Sequence, residues 1–147
     1  MNKGKVNEMK KEYLYEATAI NTDGVNGHAY INQEGGLNVE VSSPLNKRPG
    51  TNPEELLGLS LSTCFNSTIK AILKEEKLAN NSRVEVPVQL KREADDSGYF
   101  FEVAIHVAIE NLEPELANDV MIAASLRCPV YKLISQSETI ALKIAEY

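Results

Sequence analysis

Two cysteines, Cys64 and Cys128, carry the most reactive side chains of this 147-residue sequence. They form neither a Cys-x-x-Cys pair nor the disulfide framework of a small secreted protein, so in a reducing compartment they are free thiols or a redox pair. A free cysteine also packs well as a small apolar residue and is among the residue types most often buried. The two residues by themselves therefore leave a redox role and a structural role open.

The surroundings of the two thiols differ. Cys128 is followed by Pro129, which suits the first position of a helix, and the unpaired N–H groups at a helix start favour a thiolate. Arg127 adds a positive charge beside it. Cys64 instead lies in an uncharged stretch of a predicted helix, where burial disfavours the charged form. We therefore expect Cys64 to react as a thiolate only if a cation lies near it.

Turn signals and side-chain periodicity predict the elements that position these residues. Alternating apolar and polar residues predict strands at about 13–20, 28–32 and 37–42, and Asn26-Gly27 favours the positive φ of a tight hairpin turn. The later elements are a helix from Pro53 to about Lys77, strands at about 83–92 and 99–109, a helix at 114–126, a short helix from 129 and a strand at 139–145. This order predicts an α+β fold that begins with an antiparallel meander.

The long helix has clear start signals and an unusual composition. Pro53 suits its first position, and Glu54 and Glu55 complement the positive end of the helix dipole. From Leu56 to Phe65 there is no charge on any side. Because a helix that is apolar all round is buried on all sides, we expect a central helix that a dimer could sandwich.

Length and charge restrict the function. A chain of 147 residues fits one domain, since domains are most often about 100–150 residues long. We expect a flexible, lysine-rich tail at 1–10 and a single domain at 11–147. The 15 Lys+Arg against 21 Asp+Glu give a net charge of −6, which argues against a nucleic-acid partner. Without a signal-type run or a long apolar run, we expect a cytoplasmic protein with no membrane partner.

Three motifs resemble one protein family. They are Thr51-Asn52-Pro53-Glu54-Glu55-Leu56, Cys64-Phe65 and Cys128-Pro129-Val130, preceded by the segment 37–44. Together they resemble the OsmC/Ohr family of thiol-dependent organic hydroperoxide reductases, from about residue 13 to residue 147.

The resemblance implies an OsmC-like α+β fold in an intertwined homodimer whose active site lies at the subunit interface. It implies that Cys64 is the peroxidatic cysteine, Cys128 the resolving cysteine and Glu54 the glutamate of the site. Such an enzyme converts organic hydroperoxides to alcohols through a Cys64 sulfenic acid and a Cys64–Cys128 disulfide, in oxidative-stress defence. The implied reductant is an external dithiol of the dihydrolipoyl type, or a low-molecular-weight thiol, and no metal or organic cofactor takes part.

Some positions depart from the family pattern. In the organic hydroperoxide branch an arginine of the first hairpin, held by the glutamate, activates the peroxidatic cysteine, and Val25 occupies that place here. Arg48, in the loop before the long helix, is the best replacement candidate, and Arg127 is the second. Around the second cysteine Ser125 takes the place of the family histidine and the tyrosine shifts to Tyr131, so the chain mixes features of the OsmC and Ohr branches.

The spacing of Glu54 and Cys64 sets a geometric condition. Ten residues of straight helix separate them, which is about 15 Å along the axis. Either the helix bends near Gly58 or the partner subunit completes the site. Without the resemblance, Glu54 would be an ordinary first-turn carboxylate that stabilises the helix.

The predicted helix also indicates a substrate class. Leu57, Leu61 and Phe65 fall within two turns of Cys64, so we expect them to line an apolar cavity suited to alkyl or fatty-acid hydroperoxides. The same residues would equally fit the core of any small protein.

Two other functions remain open at this stage. The loss of the arginine at Val25 fits an OsmC-fold protein with little peroxidase activity that binds an apolar ligand or senses oxidants. Buried cysteines would instead fit a structural dimeric module. No metal site is expected, because His28, His106 and the cysteines lack the spacing of paired zinc ligands.

Overall fold

A computed structural model describes residues 12–46 and 48–147. The tail predicted at 1–10 lies outside these described residues. Contacts between residues divide the chain into two compact units, Met1–Asn52 and Pro53–Tyr147. The expectation of a single domain at 11–147 stays a prediction.

The first unit contains a three-stranded antiparallel meander, as predicted. Its strands are β1 (Ala19–Asn21), β2 (Gly27–Ile31) and β3 (Asn38–Val41), in the order β1-β2-β3. Ile20 pairs with Tyr30, and Ala29 pairs with Val39. The first strand is much shorter than the predicted 13–20.

The turn between β1 and β2 forms differently from the prediction. Gly24, not Asn26 or Gly27, has the positive φ of +69°. The Asn21 side chain causes this, because it accepts a hydrogen bond from the Gly24 N–H at 2.7 Å and donates one to the Gly24 carbonyl at 2.9 Å. Gly27 is needed for close approach, since a Cβ there would lie 2.2 Å from the Asp23 carboxylate.

The second unit holds the other seven elements. They are α1 (Pro53–Glu75), β4 (Ser82–Glu85), β5 (Val88–Arg92), β6 (Tyr99–Ile109), α2 (Pro114–Arg127), α3 (Pro129–Ile134) and β7 (Ile140–Ile144). Strand β6 pairs antiparallel with β4 and β5 and parallel with β7. A parallel pair needs a long crossover, which α2 and α3 supply. The observed elements confirm the predicted α+β class.

The core of this unit lies between the two longer helices and one face of the sheet. Alternate residues of β6 face the helices, as the sequence pattern predicts. The buried apolar side chains that form this core are Leu61, Phe65, Ile69, Ile72, Leu73, Val103, Ile105, Val107, Ile109, Ala117, Val120, Met121, Ala124 and Cys128.

One side of α1 remains exposed in the single chain. Leu59 is 64% exposed, and Ser60, Thr63 and Ser67 are also exposed. The expectation of burial on all sides is therefore wrong for one chain, because the sheet and α2 cover only one face of the helix. By length and composition α1 could cross a membrane, with 28% of its most apolar window buried here, although the core helix of a small protein meets the same test.

Candidate active site

Helix α1 fixes the position of Cys64. Leu61 and Phe65 on the neighbouring face are fully buried against the sheet. Asn66 is anchored to β4, since the Ser82 hydroxyl donates to its side-chain oxygen at 2.7 Å. These contacts set the rotation of α1 on the sheet, and they leave Cys64 half-buried at the flank of the helix.

Cys128 lies at the junction of α2 and α3. Its ψ of 114° is extended, which is the conformation favoured before proline, and this residue separates α2 from α3. Its N–H donates to the Ala124 carbonyl, and its sulfur accepts a hydrogen bond from the Tyr131 N–H at 3.5 Å. No part of Cys128 is exposed to solvent.

The structure brings the two thiols together across 64 residues of sequence. The Cys128 sulfur donates a hydrogen bond to the Cys64 sulfur, and the two sulfur atoms are 2.9 Å apart. Both cysteines are free. Because a disulfide bond is about 2.05 Å long, an approach of less than about 1 Å would bring the sulfurs to bonding distance.

The environment of Cys128 keeps its thiol protonated. Burial, followed by the hydrogen bond to Cys64, raises the pKa of the Cys128 thiol to about 11. The N–H groups of Tyr131 and Val130 act in the opposite direction and are outweighed. The expectation that a helix start would favour a Cys128 thiolate is therefore wrong, because burial dominates at this six-residue helix.

Arg127 is engaged away from the two sulfurs. Its guanidinium binds both carboxylate oxygens of Glu75, at 2.8 and 2.9 Å. This pairing lowers the pKa of Glu75 and raises that of Arg127. Glu75 lies eleven residues beyond Cys64, about 16 Å along the helix axis. The second sequence candidate for an activating cation is thus held at the far end of α1.

Glu54 is not brought to Cys64. Helix α1 continues through Gly58, so the separation of about 15 Å along the axis remains. One carboxylate oxygen of Glu54, Oε2, is buried without a hydrogen-bond partner among the described residues. A buried charged oxygen without a partner is costly, so this carboxylate requires a donor from elsewhere.

A cavity of about 430 Å³ adjoins Glu54, and no local sequence signal predicted it. It lies between α1 and the β4–β5 segment and is lined by Glu54, Glu55, Gly58, Leu59, Ser62, Val84, Val86 and Val88. Ser62 and Cys64 differ by about 200° around the helix. The cavity and Cys64 therefore lie on different flanks of α1.

The predicted substrate-binding residues divide into two groups. Leu61 and Phe65 are fully buried, so in this structure they form core and not the surface of an open cavity. The reason is their position on the α1 face that meets the sheet. The Phe65 ring also packs edge to face with the Tyr131 ring, with the ring centroids 5.8 Å apart. Leu57 is partly buried and packs at the margin of the core.

The remaining sequence candidate, Arg48, lies in the first unit. Its backbone carbonyl accepts a hydrogen bond from the Ser42 hydroxyl at 3.3 Å, and the residue is exposed.

Tyr131 was not singled out as a sulfur contact. Its position, three residues after Cys128 in a helix that starts at Pro129, is the spacing at which a capping side chain meets a backbone N–H, and could have predicted this.

Comparisons with known proteins agree with the fold and the motifs. A family model described as OsmC-like protein matches residues 45–143. The organic hydroperoxide resistance protein OhrB of Bacillus subtilis (strain 168) is 27% identical over 134 residues, covering 89% of this chain and 98% of OhrB. A crystal structure of OhrB superposes with a TM-score of 0.81 at 26% identity, covering 90% of this chain and 100% of that one.

Two further proteins are similar over most of the chain. An organic hydroperoxide resistance protein-like protein of Staphylococcus aureus (strain MSSA476) is 29% identical over 133 residues, covering 88% of this chain and 94% of the relative. The crystal structure of a candidate redox protein from Lactobacillus casei ATCC 334 has a TM-score of 0.86 and 39% identity, and covers 96% of this chain and 97% of that one. The chain therefore belongs to the OsmC-like protein family.

Proposed function

We propose that this protein is a thiol-dependent peroxidase that reduces organic hydroperoxides to alcohols in oxidative-stress defence. The observation that carries the proposal is the 2.9 Å contact between a half-buried sulfur, Cys64, and a fully buried one, Cys128. Relatives named organic hydroperoxide resistance proteins support the choice of substrate class.

In the first step the Cys64 thiolate attacks the terminal oxygen of the hydroperoxide. A sulfur–oxygen bond forms, the oxygen–oxygen bond breaks, and the departing alkoxide takes up a proton to leave as the alcohol. Cys64 becomes a sulfenic acid. Cys128 then attacks the Cys64 sulfur, hydroxide leaves as water after taking up the Cys128 proton, and a Cys64–Cys128 disulfide results.

The different environments of the two thiols support this division of roles. Burial raises the pKa of Cys128 to about 11, so at neutral pH this thiol is protonated and donates its S–H to Cys64. Cys64 accepts that hydrogen bond and is the cysteine that is partly exposed. The accessible sulfur is thus the one suited to meet a hydroperoxide, and the buried one is suited to trap the sulfenic acid.

An external reductant completes the proposed cycle. A dithiol of the dihydrolipoyl type, or a low-molecular-weight thiol, would reduce the Cys64–Cys128 disulfide and be oxidised to its own disulfide. We propose no metal or organic cofactor, because the two thiols and the dithiol account for all the electrons transferred.

Glu54 is proposed as the carboxylate of the site. Its buried and unpartnered Oε2 supports a requirement for a cationic donor. Val25 occupies the position of the family arginine, so we propose Arg48 as the replacement cation, because it lies in the loop just before α1. Arg127 is less suited, because Glu75 already binds it.

The proposed active form is a cytoplasmic homodimer. The exposed face of α1 carries Leu59 and no charge from residue 59 to residue 67, and this supports a requirement for a second surface, since an uncharged helix is usually buried. Tyr13, Leu14 and Tyr15 of the first unit are likewise exposed. A second copy of the chain would cover surface of this kind.

An apolar hydroperoxide is the proposed substrate. Leu57 is the proposed substrate contact, because it lies on the same flank of α1 as Cys64, about 10 Å along the axis, and is only partly buried. Leu61 and Phe65 would support that surface from the core and are not proposed to touch the substrate directly in the conformation described.

The test is oxidation of the reduced protein by one equivalent of cumene hydroperoxide, compared with hydrogen peroxide, followed by intact mass and peptide mapping. We expect a rapid loss of two mass units and a Cys64–Cys128 crosslink, formed faster with the organic peroxide. A protein that stays unmodified after prolonged exposure would contradict the proposal and favour a protein of this fold that binds apolar ligands or senses oxidants.

A further inference from the structure

The two sulfurs of the redox pair differ in access. Cys64 is half-buried at the flank of α1, whereas Cys128 has no exposed surface. Cys128 is enclosed at the α2–α3 junction, and its neighbour Tyr131 packs on Phe65 of the core. An incoming molecule therefore reaches Cys64 before it reaches Cys128.

Reduction of a disulfide requires a thiolate to attack one of the two sulfurs in line with the bond that breaks. Which sulfur is attacked depends on access and on the stability of the thiolate that leaves. Family membership does not indicate which sulfur the reductant attacks, whereas the different exposure of the two cysteines in this chain does.

We propose that the external reductant attacks the sulfur of Cys64, so that the mixed disulfide forms on Cys64 and Cys128 is the leaving group. This inference rests on the proposed redox cycle and specifies its second half. It assigns Cys128 a second role as the buried thiol that is released and protonated in every turnover.

The step balances with the groups present. The reductant thiolate forms a bond to the Cys64 sulfur, the Cys64–Cys128 bond breaks, and its electron pair stays on the Cys128 sulfur. The Tyr131 N–H, which donates to that sulfur, stabilises the developing thiolate until it takes up a proton. The second thiol of a dithiol then attacks the reductant sulfur of the mixed disulfide, closes its own disulfide and releases Cys64.

The stability of the leaving thiolate disfavours attack on Cys64, but the exposure of Cys64 outweighs this effect. Burial raises the pKa of Cys128, which makes its thiolate the poorer leaving group. Attack on Cys128 would nevertheless require the core at the α2–α3 junction to open before each turnover. Attack on Cys64 requires no such opening, because part of that residue already meets solvent.

The test begins with a disulfide made by diamide, which removes two hydrogens from a pair of thiols and does not depend on peroxidase activity. Excess glutathione is added, the reaction is stopped with acid, free thiols are alkylated and the protein is cleaved. Arg127 and Lys132 flank Cys128, so trypsin places the two cysteines on separate peptides. We expect glutathione on Cys64 and the alkyl group on Cys128.

Glutathione found on Cys128, or shared equally between the two cysteines, would overturn the inference. A protein that gives the expected adduct after diamide but does not react with cumene hydroperoxide would leave the inference standing and contradict the peroxidase proposal. If diamide produces no disulfide, both are overturned.

Single-cysteine variants provide an independent measurement. Each reduced variant is treated with 5,5′-dithiobis(2-nitrobenzoate) under native conditions and again in guanidinium chloride, where access is equal. In native protein we expect the thiol of Cys128→Ser to react at least about tenfold faster than that of Cys64→Ser, since reactivity follows exposure and thiolate fraction. Equal native rates would contradict the inference, provided that circular dichroism shows both variants folded.

Discussion

The two regions of α1 that are proposed to take part in chemistry differ in how much of their surroundings one chain provides. Around Cys64 a single chain supplies the sulfur partner, and the N–H group that contacts that partner comes from Tyr131. Around Glu54 a cavity opens, and one carboxylate oxygen is buried without a partner among the described residues. The comparison supports the proposal that one subunit supplies both sulfurs, whereas the carboxylate of the proposed site needs a further group.

The largest expected effect lies on the sulfur side. Cys64→Ser is expected to lower the rate of alcohol formation from cumene hydroperoxide by about 10³-fold or more, because a hydroxyl replaces the nucleophilic thiolate. The matched control is Cys128→Ser, in which one equivalent of peroxide should still oxidise Cys64 while repeated turnover stalls. Full steady-state activity in Cys64→Ser would show that the sulfur contact is not the reactive centre.

A smaller effect is expected on the carboxylate side. Glu54→Gln is expected to lower kcat/KM by about 10- to 100-fold if the carboxylate holds a cation for the transition state. Glu55→Gln is the matched control, since it removes a charge from the same helix turn and should change helix stability by a similar amount, at most about 1 kcal/mol. Equal activity of the two variants would mean that Glu54 acts only as a charge in the first helix turn. The difference drawn between the Cys64 and Glu54 regions would then not hold.

The identity of the missing cation can be tested by a double-mutant cycle. Arg48→Ala and Glu54→Gln should each lower kcat/KM, and the double variant should lose less than the sum of the two by at least about 0.5 kcal/mol if the residues act as a pair. Steady-state kinetics of the four proteins measure this difference. Strictly additive losses would exclude Arg48 as the group that completes Glu54.

A separate effect concerns stability above neutral pH and not activity. The pKa of Cys128 is about 11 in the folded protein, against 9.0 as its ordinary value, so the unfolded chain loses this proton first as pH rises. The protein should therefore lose on the order of 2 kcal/mol of unfolding free energy between about pH 9 and pH 11. Urea unfolding at pH 8 and pH 10.5 measures the loss for reduced protein.

The Cys128→Ser variant is the reference for this loss, because lysine and tyrosine titration affects both proteins alike. A wild-type protein that loses no more stability than the variant would show that Cys128 is not held protonated by burial. The sulfur region, like the Glu54 region, would then depend on a group that one chain does not provide.

Most of the elements could be predicted from local signals. Strand β6 begins and ends at the predicted residues, Tyr99 and Ile109, because its alternation is long and uninterrupted. Helix α1 begins at the predicted Pro53, which has no N–H to leave unpaired. The first strand was overestimated, since alternation at 13–18 shows only that a strand is compatible with the sequence and not that a neighbour pairs with it.

The features of the site that escaped prediction depend on distant parts of the chain. Burial of Cys128 results from packing between α2, α3 and α1, and it reversed the expected effect of a helix start on the thiol. The choice of Glu75 as the partner of Arg127 joins residues 52 positions apart. Local sequence patterns contain no information on such contacts, whereas family resemblance paired the two cysteines before any distance was known.

The parallel pairing of β6 with β7 has a consequence for synthesis of the protein. Val103 to Val107 of β6 pair with Ile140 to Ile144 of β7, which follows α2 and α3 in the chain. Until β7 has emerged from the ribosome, β6 has an open edge and α2, which leads into Cys128, lacks part of its packing surface. The sheet of the second unit can therefore be completed only after the α2–α3 segment that carries Cys128 has been synthesised.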